Sequence, residues 1–156
     1  MNEFQKKIGA TLGVAVPGTI VEAAESYKLV EHFITEDDSC VIGSFVKKGS
    51  AEGKVVAATG DGEVIGIIVK NGYLTGEKQG MKIPAGENVA VVLFGVVAVE
   101  NTATAAATFN DKVLMKKADG ILIFAKASAT ATAEQKETGW KVKQGADKKG
   151  IVFLTK

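Results

Sequence analysis

Two stretches of the chain are apolar at both parities. Apart from their terminal residues, EVIGIIVK (63–70) and NVAVVLFGVVAV (88–99) place small or branched apolar side chains on both sides of an extended backbone. A half-buried strand alternates, so both stretches predict strands covered on two faces: central strands of a barrel or sandwich, or strands covered by another subunit. TGWKVKQ (138–144) alternates cleanly, with Trp140 and Val142 on one side and Lys141 and Lys143 on the other. IVFLTK then closes the chain as a further strand.

Turn chemistry places the strand ends. Asp119-Gly120 separates KVLMKKA (112–118) from ILIFAK (121–126), and Asp-Gly supplies the positive φ angles of a tight hairpin. Asp61-Gly62 precedes EVIGIIVK and Asn71-Gly72 follows it. EDDS (36–39) reads as a turn between YKLVEHFI and CVIGSFVKK. The best helical spacing, Ile20, Ala24, Tyr27 and Glu31 within 20–34, is spoiled by the charge at Glu31, so no helix of three turns is expected. Two tracts of small residues stand apart, NTATAAAT (101–108) and ASATATA (127–133). The second has period two, Ser128, Thr130 and Thr132 against four alanines, which fits either a strand of small side chains or a low-complexity loop.

The N-terminal segment has the least domain-like pattern. Gly9, Gly13 and Gly18 interrupt any helix, and Pro17-Gly18 reads as a turn. Lys6 and Lys7 before IGATLGVAV offer a secretion-signal reading, opposed by Glu3, the glycines and Pro17. An extended arm over 1–19, followed by a single β-rich domain over 20–156, is the better division. Valine and isoleucine total 30 against 7 leucines, which favours pleated strands over helices. The fold class expected is all-β: a compact barrel or sandwich of short antiparallel strands.

Composition narrows function mainly by exclusion. A length of 156 residues suits one domain with a core that needs no disulfide or metal. The formal net charge of +1 removes the electrostatic case for nucleic acid or an anionic membrane as partner. All 19 cationic side chains are lysines, so the bidentate grip of arginine on phosphate or carboxylate is absent. No apolar run reaches the roughly 20 residues of a membrane helix. One cysteine, Cys40, and one histidine, His32, exclude an internal disulfide and the multi-cysteine or two-histidine metal motifs.

Candidate chemistry is sparse. His32 and Cys40 flank the 36–39 turn and would face each other across a hairpin, the arrangement of a thiol–imidazole pair, but Cys40 in an apolar stretch reads better as a small buried hydrophobe. Glu36, Asp37 and Asp38 lack the staggered ligands and glycine of a calcium loop. GSAEGKV (49–55) is one residue short of a phosphate loop, GDGEVIG (60–66) lacks the dinucleotide spacing, and no G-x-S-x-G is present. Trp140 reads as a core anchor. Neither a catalytic residue, a metal site nor a cofactor is expected.

Taken in order, VPGTI, VIGSFVKKG, GDGEVIGIIV, IPAGENVAVVLFGVVAVE, a small-residue linker, DKVLMKKADG and TGWKVKQGADKKGIVFLTK form a succession spanning nearly the whole chain. It resembles the capsid decoration, or structural cement, proteins of tailed bacteriophages and prophages. The resemblance implies a small β-rich, non-enzymatic virion protein, made in the bacterial host cytoplasm, that binds the outer surface of an expanded capsid. It further implies the major capsid protein as partner, a homo-oligomer with a trimer favoured, and no nucleic acid or membrane. Within that reading the arm residues Phe4, Ile8, Leu12, Val14, Val16 and Pro17 are the candidate capsid-contacting set. The alternatives are a β-sandwich module for a glycan or host surface and, less favoured, a small Cys/His enzyme.

Overall fold

The computed structural model describes residues 17–20, 28–70 and 80–156. Among the described residues, ten strands make two layers. Strands β1 (Leu29–Thr35), β2 (Phe45–Lys48), β3 (Lys54–Ala57), β4 (Val64–Val69) and β5 (Asn88–Phe94) close a barrel in the order β1-β3-β2-β4-β5. Strands β6 (Val96–Glu100), β7 (Lys112–Lys116), β8 (Leu122–Ala125), β9 (Gln135–Gln144) and β10 (Ile151–Thr155) form a sheet in the order β6-β10-β9-β7-β8. The described residues contain no helix, and the 20–34 candidate is instead strand over Leu29–Thr35.

The runs that are apolar at both parities serve two cores at once. On β4 and β5, Ile68, Val89 and Val91 join Cys40, Ile42, Val46, Val55 and Ile83 in a cluster that fills the barrel. Their neighbours of opposite parity, Ile67, Val69, Ala90 and Val92, point outward and pack on Val97, Val99, Trp140, Val142, Val152 and Leu154 of the sheet. Each fully buried aliphatic side chain contributes about 1.5–3 kcal/mol, so a strand with two buried faces holds the layers together from both sides. Trp140 is fully buried at the centre of this second core, with Phe45 edge-on to its ring at 6.1 Å. Gly66 allows the close approach of β4 and β5: a Cβ there would stand 2.7 Å from Val91 Cγ1 and against the Val92 backbone.

The 88–99 run is two strands, not one. Gly95, with φ of +137°, breaks it, so β5 belongs to the barrel and β6 to the sheet. Asp119-Gly120 makes the expected hairpin, with β7 and β8 in antiparallel register from Lys112↔Ala125 to Met115↔Leu122. β9 alternates as its sequence predicts, with Trp140 and Val142 buried and Lys141 and Lys143 exposed. Asn71-Gly72 lies outside the described residues.

Two further expectations need correction. The strands are not all antiparallel: β1 and β3 pair in parallel at Ile34↔Lys54 and Thr35↔Val55, and this short contact closes the barrel. The 36–39 turn exists, but it does not make a hairpin; β1 pairs with β5 and β3, and the next strand begins only at Phe45. Of the two readings left open for residues 127–133, the loop holds: they are turn and irregular chain despite their period-two pattern. Their side chains are too small and polar to bury a face, and the tract is held from outside, by Lys112 Nζ on the Ala129 carbonyl at 3.0 Å.

Candidate functional site

The chemistry-bearing residues are engaged in holding loops. Cys40 is fully buried, its Sγ 3.9 Å from the Val55 carbonyl oxygen. Burial first, and then the charge of Asp37, push its thiol up to about 11, against a hydrogen bond from Ser39 that lowers it. A nucleophilic cysteine needs the opposite environment. His32 lies on the exposed side of β1, with Nδ1 3.1 Å from Asn88 Oδ1. The two are not brought together as a thiol–imidazole pair by any hairpin.

The three acids of the 36–39 turn each tie down a different backbone segment. Glu36 Oε2 accepts from the Ser50 N–H at 2.6 Å and Asp38 Oδ1 from the Ala85 N–H at 2.7 Å. Asp37 Oδ1 accepts from the Ser39 N–H at 2.9 Å and also from the Ser39 hydroxyl. The acidic cluster is thereby a knot of three loops, and no group of three or more metal-ligating side chains occurs among the described residues. Both glycine-rich segments are turns: 49–53 joins β2 to β3, and 58–63 joins β3 to β4.

The second of these turns joins the layers. Lys136 of β9, nine-tenths buried, donates to the carbonyls of Gly60 and Gly62, while Lys47 of β2 donates to those of Thr59 and Asp61. Lys117 pairs with Asp61 at 2.8 Å. Its ammonium, by hydrogen bond and charge, holds the Asp61 carboxyl below the usual range. Burial, and then the neighbouring Lys47, lower the Lys136 pKa. Sequence pattern alone does not single out Lys136, because its partners are carbonyls more than 70 residues away.

Of the candidate contact residues, Phe4, Ile8, Leu12, Val14 and Val16 lie outside the described residues. Pro17 is described and buried, and the chain behind it is stitched to both layers. The Gly18 N–H donates to the Ala98 carbonyl at 2.8 Å, the Gly18 carbonyl accepts from Lys70 N–H at 3.0 Å, and Ile20 bridges Val97 antiparallel. Gly43 makes room for this root, since a Cβ there would lie 2.7 Å from Pro17 Cβ. The segment leading back to residue 1 is therefore rooted on the outer edge of β6. Large exposed apolar side chains lie elsewhere: Leu29 and Phe94, cross-strand partners on β1 and β5, and Phe109, which is 73% exposed. Sequence reading missed Phe109, because a single aromatic in a polar loop carries no pattern.

Residues 4–155 match the model of the structural cement protein family (E217 gp24/Pam3 gp6). The chain belongs to this family of phage structural cement proteins. The match takes in residues 4–16 as well as both β layers. Five chains among solved structures match, and one is a chain of the capsid of Myoviridae phage XM1, with a TM-score of 0.67 and 18% identity over 90% of this chain and 89% of that one. At that identity the likeness establishes the fold. No curated protein matches. The role of a structural cement protein is mechanical: it stabilises a phage capsid, and a doubly cored β body whose polar groups are spent on tying loops together suits that work.

Proposed function

We propose that this protein decorates the outer surface of an expanded phage capsid, contacts the major capsid protein and reinforces the shell as a homo-oligomer, with a trimer favoured. The observation that carries the reading is the family match over residues 4–155. The near-neutral charge supports it physically, because many copies can be packed side by side without mutual repulsion. In this reading the chemistry is structural rather than enzymatic, in keeping with the buried, proton-holding Cys40.

The arm supplies part of the grip. Phe4, Ile8, Leu12, Val14 and Val16 are apolar residues in a segment too broken by glycine to build its own core, and Pro17 fixes its root. An extended arm joins a sheet edge by backbone hydrogen bonds and gains specificity from alternate side chains. Ordering it costs about 1–2 kcal/mol per residue, so one arm alone binds weakly and an oligomer gains by avidity. Electron microscopy of the purified protein mixed with expanded capsids tests the reading. Ordered density on the outer shell at a fixed lattice position is expected, and bare shells at saturating protein would overturn it. The same assay on a chain lacking residues 1–16 tests the arm: undiminished decoration would remove it from the contact.

A further inference from the structure

Among the described residues four large hydrophobic side chains are exposed, and they are divided unequally between the layers. Leu29, Ile34 and Phe94 lie on β1 and β5 of the barrel, while Phe109, the most exposed at 73%, stands alone in the segment before β7 of the sheet. The turn that carries Phe109 holds it out into solvent. The Asp111 N–H donates to the Thr108 carbonyl at 3.1 Å, and Asp111 Oδ2 accepts from the Thr108 N–H at 2.9 Å. The Asn110 N–H donates to the Val142 carbonyl of β9 at 2.8 Å, with Asn110 at φ of +66°, a left-handed conformation that a residue other than glycine adopts at a cost. A phenyl ring at the tip of so fixed a turn is a preorganised anchor, because the ordering that usually weakens a contact is already met in folding.

The barrel offers a matching hollow. One of its ends is stopped by the paired segments 40–42 and 81–83, which bury Cys40, Ile42 and Ile83. At the other end Phe33 of β1, Ile65 near the start of β4 and Leu93 near the end of β5 pack on the barrel core yet are only half-buried. They floor a hollow of about 830 Å³, walled on one side by the β2–β3 turn; the mouth of a β-barrel is a common binding place. Its rim carries Glu31 and Glu52 as well as Lys48 and Lys54, so it presents no single sign of charge. Beside Phe109 stands Lys126, 83% exposed, which those carboxylates can meet. Phe109 does not line this hollow and remains in solvent, so a chain does not fill its own mouth. A second copy brings a ring of the right kind.

We propose that Phe109 of one copy inserts into the barrel mouth of the next, over Phe33, Ile65 and Leu93. The contact joins two unlike patches, so it leaves a free ring at one end of a pair and a free hollow at the other, and it is satisfied throughout only when the copies close into a ring. This contact supplies the interface of the homo-oligomer in the proposed function, and rests on that reading. The capsid-contacting arm takes no part in it.

Sedimentation equilibrium of the purified full chain at micromolar concentration tests the contact apart from any capsid. The wild type should associate. Phe109→Ser, a change at an exposed side chain, should weaken association by about thirtyfold or more, while Phe109→Trp keeps it. Ala51→Arg, on the exposed β2–β3 turn, should block the hollow to a similar degree. The decisive sample is the equimolar mixture of Phe109→Ser with Ala51→Arg. The first retains a hollow and the second a ring to fill it, so heterodimers should form and nothing larger. A wild type that stays monomeric, either of these variants associating as the wild type does, or a mixture without heterodimers would overturn the proposal. Capsid decoration is read separately by electron microscopy, so decoration by a monomer would leave the capsid reading standing and sink this contact alone.

Discussion

The Lys136 ammonium, on β9 of the open sheet, donates a 3.0 Å hydrogen bond to the carbonyl of Gly60 in the β3–β4 turn of the barrel. It lies in a partly desolvated site beside Lys47 and Lys117, which is why its pKa is lowered. The unfolded chain therefore holds this proton more tightly than the folded one, and the sign follows: the fold is less stable with Lys136 charged than with it neutral. Stability should rise as pH climbs from its lowered folded value toward the ordinary 10.5. Denaturant midpoints measured across that window should show this rise in the wild type minus Lys136→Met difference. A difference that is flat with pH would contradict it.

Cys40 acts in the opposite direction over the alkaline range. Its thiol ionises near 9.0 when unfolded and near 11 in the fold, so between these values the unfolded chain sheds a proton that the folded chain keeps. Stability is lost as pH rises from about 9 to about 11, by up to roughly 2–3 kcal/mol at 1.36 kcal/mol per unit. Cys40→Ala should remove this slope, whatever its fixed packing cost. Native-state labelling by a thiol reagent should also be slow, and fast after unfolding.

Asn101 is fully buried, and its side-chain amide donates to the carbonyls of Ala105, Ala146 and Asp147 at 3.1–3.2 Å. Its Oδ1 accepts from Ala103 N–H at 2.9 Å. Asn101→Ala strands these groups and should cost about 2–4 kcal/mol in urea unfolding. Asn101→Asp has the right shape but no donors, and should be no better.

Gly66 carries a purely steric prediction. Any Cβ meets the Val92 backbone and Val91 Cγ1 inside a closed barrel. Gly66→Ala should destabilise by about 2–4 kcal/mol, seen as a lowered thermal midpoint, whereas Gly53→Ala, with open space around it, should cost mainly its φ of +73°.

What the sequence makes legible here is what side-chain parity and local turn chemistry encode. Trp140 and Val142 could be assigned to a core because their partners' identity does not matter, and Asp119-Gly120 because a hairpin is local. The β1–β3 pairing was hidden, because two registered residue pairs far apart in the chain leave no periodic trace. The break at Gly95 sits inside a continuous apolar run, and only its place between two sheets shows that one strand is two. Residues 127–133 have the parity of a strand without the apolar area to hold one. Function followed the same division. The order of elements along the chain carries the resemblance to the cement proteins, and the family match over residues 4–155 bears it out. Asn101 and Lys136 depend on backbone groups brought from distant segments, which no local pattern announces.

The central claim is mechanical and is tested most directly by the temperature at which expanded capsids rupture and release their DNA, measured with and without saturating protein. Decoration should raise that temperature, in proportion to occupancy and reversibly on removal of the protein. Capsids that bind the protein yet rupture at an unchanged temperature would contradict a cementing role.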